Sequence, residues 1–260
     1  MMRTWSMIGF GEAGATFAGA MYCAGRAFDR KTDDPAAREA MLETITKAGV
    51  EPCSDAKDAL AGAQVVLSLV TASSALQAAI DDAPFLAPGA LWIDMNSVAP
   101  ETKCRAANVI EAAGGRYVDA AIMAPVQPAA LSVPVLLSGT DAADAETALA
   151  DFGFSSLRIV GGEVGRASTI KMLRSVMVKG IEALTAEMVL AARHAGVADE
   201  VLASLGEDWA CKAEYNLERM TMHGQRRADE MEEVAKTLES LGVEPLMTHG
   251  TIIRQRELAR

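Results

Sequence analysis

From Thr4 to about Val160, short apolar runs alternate with segments in which apolar residues recur at helical spacing. The predicted strands are Trp5 to Ile8, Arg26 to Asp29, Val65 to Val70, Leu91 to Met95, Tyr117 to Ala120, Val135 to Ser138 and Leu157 to Val160. Between them, Ala36 to Ala48, Ser74 to Asp82, Glu101 to Ala113 and Ala142 to Asp151 read as helices. Strands alternating with helices of about 10 to 15 residues predict βαβ units and a mainly parallel sheet. After Gly161-Gly162 the period-two pattern ends. Ile170, Leu173, Met177, Ile181, Leu184 and Met188 then fall on one stripe at about 100° per residue, which predicts a single long amphipathic helix ending at Gly196. Asp199 is expected to cap the next helix and Gly206 to break it. Further helices are expected near Trp209 to Met222, Arg226 to Leu241 and Leu246 to Arg260.

The 260 residues fit two modest domains once the pattern changes partway along. The division expected is an α/β domain over 1–162 and an all-α domain over 163–260, hinged near Gly161 to Gly165. A hydrophobic content of 50%, 23% charged residues and a mean hydropathy of +0.15 suit a packed core and exclude a disordered or collagen-like chain. The most apolar long stretch, Val176 to Ala192, holds Lys179, Glu182 and Glu187, so no membrane span is expected. Met7 to Gly14 runs straight into a structural motif rather than a leader, which gives the expectation of a soluble, cytoplasmic protein. With 24 Lys and Arg against 35 Asp and Glu the net charge is −11, which disfavours nucleic acid as a partner. Cys23, Cys53, Cys104 and Cys211 are scattered singly, so they are expected to be reduced and buried, with no metal site.

The strongest local motif is Gly9-Phe10-Gly11-Glu12-Ala13-Gly14, a G-x-G-x-x-G between the first strand and the first helix. The first glycine permits the tight turn, the second lets backbone approach a pyrophosphate, and the third lets helix pack close to strand. The helix N-terminus adds unpaired N–H donors and a partial positive charge. Asp29 ends the second strand, where a carboxylate accepts from an adenosine ribose 2′-hydroxyl, so the motif predicts a Rossmann-type domain binding NAD. Arg30 and Lys31 leave NADP open, since they would embrace a 2′-phosphate if Asp29 turned away. Val70 and Thr71, at the end of the strand that starts at Val65, complete the expected cofactor contacts.

On the long helix, Lys171, Ser175 and Glu182 share one flank. A lysine there acts as a general acid or base when its surroundings disfavour its charge, although by spacing alone such a lysine more often snorkels to water. A glycine-rich connector, Gly161-Gly162-Glu163-Val164-Gly165, precedes the helix, and Arg174 follows Lys171 by about one turn; both features favour the functional reading.

Four segments in order, Gly9 to Gly14, Ile93 to Pro100, Tyr117 to Ala120 and Gly162 to Lys171, resemble the β-hydroxyacid dehydrogenase family, which includes 3-hydroxyisobutyrate and 6-phosphogluconate dehydrogenases. The resemblance spans about residues 4 to 195. It implies that Lys171 is the catalytic lysine and that Ser97 lies near nicotinamide and substrate. Ser175 stands where the family has an asparagine. The family's Asp-Ala-Pro-Val-Ser-Gly-Gly substrate loop reads Asp119-Ala120-Ala121-Ile122-Met123-Ala124-Pro125 here, which places Ala121 and Met123 at the substrate and departs from the familiar substrates. The short all-α part looks most like the phosphogluconate-dehydrogenase-like oxidoreductases that end in a compact domain of unknown function.

His223, Arg226, Arg227 and Glu230 form a basic cluster that either recognises an anionic substrate, through His223 and Arg227, or lies on a solvated helix face held by i, i+4 pairs. The expected activity is hydride transfer between a nicotinamide cofactor and a small, anionic hydroxy compound or its carbonyl form. Lys171 serves as acid or base, with Ser97, Ser175 and Arg174 around the substrate. The rivals are an imine or ketone reductase and a dinucleotide-binding regulator without turnover. A homodimer is expected through the all-α half, because five turns of apolar stripe exceed what the short helices after it can cover.

Overall fold

A computed structural model of the chain describes residues 3–259 and divides it into two compact units between Lys171 and Met172. The first unit runs β1 (Trp5–Ile8), α1 (Glu12–Ala20), β2 (Arg26–Phe28), α2 (Arg38–Lys47), β3 (Glu51–Pro52), α3 (Ala56–Leu60), β4 (Val65–Ser68) and α4 (Ala75–Asp82). It continues with β5 (Leu91–Asp94), α5 (Pro100–Ala112), β6 (Arg116–Ile122), β7 (Val135–Ser138), α6 (Ala142–Asp151), β8 (Leu157–Gly161) and the first turns of α7 (Arg166–Ala195).

The strands form one sheet in the order β3-β2-β1-β4-β5-β6-β7-β8, parallel throughout except where β6 meets β7. Strand order reverses between β1 and β4, and such a switch point opens a crevice outside the carboxyl ends of the strands. One face packs Met7, Leu67, Ile93, Val118 and Leu137 against Phe17 and Phe152. The other packs Ile8, Val66, Trp92 and Tyr117 against Leu60, Ala106 and Ile110. Successive strand residues point to opposite faces, so apolar runs rather than alternating ones are what a sheet covered on both sides demands. Every strand expected from the sequence is present within two residues. β3 and α3, of 2 and 5 residues, are additional, being too short to show a period.

The second unit is all helix: the remainder of α7, then α8 (Ala198–Leu205), α9 (Trp209–Ser240) and α10 (Leu246–Leu258). Three expectations are corrected here. Asp199 lies inside the first turn of α8, whose cap position is Val197 and has no side-chain bond. The two helices expected over Trp209 to Leu241 are one, because Gly224 does not break α9 but lets α10 approach: a Cβ there would lie 2.4 Å from the Gln255 carbonyl oxygen. The apolar stripe of α7 mostly faces outward, with Leu173, Met177, Ile181 and Leu184 at 41 to 64% exposure. The buried face carries Met172, Ser175, Lys179, Glu182, Ala186 and Val189 instead.

That buried face is tolerable because its charges are paired. Lys179 meets Glu230 of α9 at 2.8 Å, and Glu182 accepts from Arg227 Nε at 3.0 Å and from Gln255 at 3.1 Å. The last expected helix ends at Leu258, and Arg260 is outside the described residues. All four cysteines are free, but only Cys53 is buried; Cys104 and Cys211 are exposed. Among the described residues no helix is long and apolar enough to cross a membrane.

Candidate functional site

The glycine turn lies at the β1/β4 switch point. Gly9 has a φ of +87°, and a Cβ there would sit 2.6 Å from the carbonyl oxygen of Leu69, so only glycine lets the β1 turn meet the end of β4. At Gly14 a Cβ would lie 3.0 Å from the Met7 sulfur and 3.1 Å from Gly9 O, which ties α1 closely to β1. Gly11 is the reverse case. Nothing lies within 4 Å of its Cβ position, and as the N-cap of α1 it leaves the first helical amides without a side-chain cap. Open space over uncapped amides is what an approaching pyrophosphate requires. Exposed Glu12 and partly buried Ala13 open α1, while Val70 and exposed Thr71 follow β4 beside the turn.

Asp29 is buried, and its carboxylate turns inward: Oδ2 accepts from Phe10 N at 2.6 Å and Oδ1 from Lys31 N at 2.9 Å. The Phe10 ring lies in the core at 1% exposure, and its N–H is taken by Asp29. Arg30 and Lys31 are exposed next to it.

Across the carboxyl end of the sheet runs a register row of buried polar side chains: Ser68 of β4 beside Asp94 of β5, beside Asp119 of β6, beside Ser138 of β7. Lys103, from the first turn of α5, is fully buried over this row. Its ammonium donates to Asp94 O at 2.6 Å and Asp94 Oδ1 at 2.8 Å, and forms an ion pair with Asp119 Oδ1 at 3.4 Å. Asp94 also accepts from the Tyr117 hydroxyl at 2.7 Å and from Asn96 N at 2.9 Å. Burial, then the charges of Asp94 and Asp119, push the Tyr117 phenol well above its ordinary range and keep it a neutral donor. Asp119 accepts from Ser168 N at 2.9 Å, Ser168 Oγ at 2.7 Å and Ser138 Oγ at 3.2 Å, and Ser138 Oγ accepts from Ala167 N at 3.0 Å.

One turn after Ser168 comes Lys171, whose Nζ donates to Ser97 Oγ at 2.5 Å. Ser97 sits in the loop between β5 and α5, where Met95 N donates to Ser68 O at 3.0 Å and Asn96 Nδ2 to Ser68 Oγ at 2.9 Å. Both residues are partly exposed, so an ammonium and a hydroxyl 74 positions apart meet at an accessible edge of the first unit.

The remaining candidates fare unevenly. Ala121 is 1% exposed and packs with Ala167 and Leu136. Met123 is partly buried against that cluster beside Ile170. In the second unit, Ser175 is buried and accepts from Lys179 Nζ at 3.4 Å, Arg174 is exposed, and His223 is partly buried. Arg227 is buried, with its guanidinium forked onto Glu182. Lys103, Ser68, Ser138 and Ser168 were not singled out from the sequence. A lysine in an alanine-rich helix reads as surface, and only the cross-strand register reveals its two carboxylate partners.

Comparison with known proteins agrees with this geometry. The family model described as the NAD binding domain of 6-phosphogluconate dehydrogenase matches residues 4–161, and a domain of unknown function, DUF1932, matches residues 192–258. A conserved hypothetical protein from Sinorhizobium meliloti 1021 is 40% identical, with a TM-score of 0.76 over 98% of this chain and 88% of that one. A 3-hydroxyisobutyrate dehydrogenase from Mycobacterium tuberculosis, solved with L-serine, shares the fold at 18% identity and a TM-score of 0.78, over 99% and 94% of the two chains. A reductive aminase from Aspergillus terreus, solved with NADPH and ethyl levulinate, shares it at 18% identity and 0.65, over 99% and 93%. The chain belongs to the family defined by the NAD-binding domain of 6-phosphogluconate dehydrogenase, with a C-terminal domain of unknown function.

Proposed function

We propose that the protein is a nicotinamide-dependent oxidoreductase acting on a small hydroxy compound or its carbonyl form, with Lys171 as the proton-transfer group. The observation that carries the reading is the 2.5 Å bond from Lys171 Nζ to Ser97 Oγ, on the same sheet edge as a glycine turn built to receive a pyrophosphate. Gly11 and the first amides of α1 would hold the phosphates, and Val70 and Thr71 would flank them. When bound, the nicotinamide supplies or accepts the hydride.

The chain's own residues do the rest. Lys171 gives a proton to the nascent alkoxide in reduction and takes it from the hydroxyl in oxidation. Ser97 holds the lysine in place and offers its hydroxyl to the same substrate oxygen.

For the cofactor, the inward Asp29 favours NADP(H) over the NAD(H) that the motif alone suggests. Both of its oxygens already accept backbone N–H bonds, whereas Arg30 and Lys31 stand exposed beside it for a 2′-phosphate. Met123-Ala124-Pro125 stands where the family has Ser-Gly-Gly, and Met123 packs beside Ile170; this loss of polar lining supports a second reading, reduction of a less polar ketone or imine on the same machinery. The outward stripe of α7 supports a homodimer through the helical unit. A panel of hydroxy acids, ketones and ketone–amine pairs, followed by nicotinamide absorbance with both cofactors, tests the assignment. Turnover of hydroxy acids favours the first reading and turnover of imines the second. Tight cofactor binding without turnover on any class would make the protein a dinucleotide-binding regulator.

A further inference from the structure

The buried polar row touches no edge at which a substrate would bind, yet it holds both ends of the proposed catalytic pair. On one side, Asp94 accepts the N–H of Asn96 and so fixes the loop whose next residue is Ser97. On the other, Asp119 accepts both the N–H and the hydroxyl of Ser168 and so fixes the turn of α7 whose next turn carries Lys171. The two carboxylates are register neighbours on adjacent parallel strands, and side by side in a dry interior they repel. Lys103 removes that repulsion with an ammonium in contact with both. Its side chain is 0% exposed and its ammonium is held by two hydrogen bonds to Asp94 and an ion pair with Asp119, so it has no surface role.

We infer that Lys103 is a positioning residue: bridging Asp94 and Asp119, it sets the loop of Ser97 and the first turns of α7 at the separation that lets Lys171 reach Ser97. This rests on the assignment of Lys171 as the proton-transfer group only for its consequence in catalysis; the geometric coupling stands apart from it. The coupling is of the kind in which misplacing a reactive group by about 1 Å lowers a rate by about a hundredfold.

The test follows Lys171 itself rather than turnover. In the full-length protein, the rate of acetylation of Lys171 by acetic anhydride is measured by mass spectrometry at one fixed pH, with exposed Lys57 as internal reference. Ser168→Ala removes one hydroxyl bond to Asp119 and leaves the amide bond, the milder of the two changes; Lys103→Met removes the bridge. The expected result is a several-fold change in the Lys171 to Lys57 ratio in Ser168→Ala, and a larger one in Lys103→Met if that variant folds. An unchanged ratio in folded Lys103→Met would overturn the inference, and where that variant does not fold, an unchanged ratio in folded Ser168→Ala would do so. A Lys171→Ala protein with normal turnover would end the catalytic assignment but would leave this result standing, so the two failures are distinguishable.

Discussion

The carboxylate of Asp29 accepts the backbone N–H of Phe10 at 2.6 Å, so the acidic residue after β2 braces the glycine turn from within. A residue that reads from sequence as the ribose sensor also braces the turn, and on the proposed reading the exposed cations after it meet a 2′-phosphate. Arg30→Ala is expected to raise the KM for NADPH by about tenfold or more while that for NADH changes little, since only the 2′-phosphate uses the guanidinium. Steady-state kinetics with both cofactors checks it; an equal effect on the two would show that Arg30 does not read the phosphate.

Much of this was legible beforehand. The strand and helix pattern and the glycine turn leave a local trace in the chain, and Lys171 and Ser97 leave a family trace as separate residues, although not the bond between them. The facing of α7 left none. Its stripe of Leu173, Met177, Ile181 and Leu184 predicts a buried side by the ordinary rule, whereas within one chain the buried side carries Lys179 and Glu182. Those charges find Glu230, Arg227 and Gln255 on α9 and α10, between 45 and 73 positions away for Glu182, and no periodicity records such pairings. Lys103 is the same case in the first unit.

The outward stripe leads to the second expectation. Each large apolar side chain moved from water to an interface contributes about 1.5 to 3 kcal/mol, so four of them are ample to hold two copies together. Light scattering should give a dimer mass at micromolar concentration, and Met177→Asp with Ile181→Asp should give a folded monomer. A wild-type monomer would contradict the proposal.

A third expectation concerns stability. Asp82, at the end of α4, is 5% exposed, and burial, with a smaller contribution from neighbouring Asp81, raises its carboxyl to about 7. The folded state then holds the proton more tightly than the unfolded chain, whose carboxyl titrates near its ordinary value of about 4. Stability from this group is present below about pH 4 and is lost as pH rises through about 7. Asp82→Asn should therefore stabilise the protein above neutrality by on the order of a few kcal/mol, and the gain should vanish in acid. Urea denaturation at both pH values measures it; a gain independent of pH would assign the effect to packing instead.

The most direct measurement is of Lys171, because it separates chemistry from binding. With a substrate found in the panel, Lys171→Ala should keep NADPH affinity within a few-fold of wild type, since the glycine turn, Thr71 and Arg30 are untouched, while kcat falls by about a hundredfold or more. Lys171→Arg should not restore it, because a guanidinium stays protonated and cannot take the proton from a hydroxyl. A lysine that merely donates to Ser97 for stability predicts lowered Tm and near-normal turnover in the alanine variant. Turnover of Lys171→Ala within a few-fold of wild type would contradict the mechanism outright.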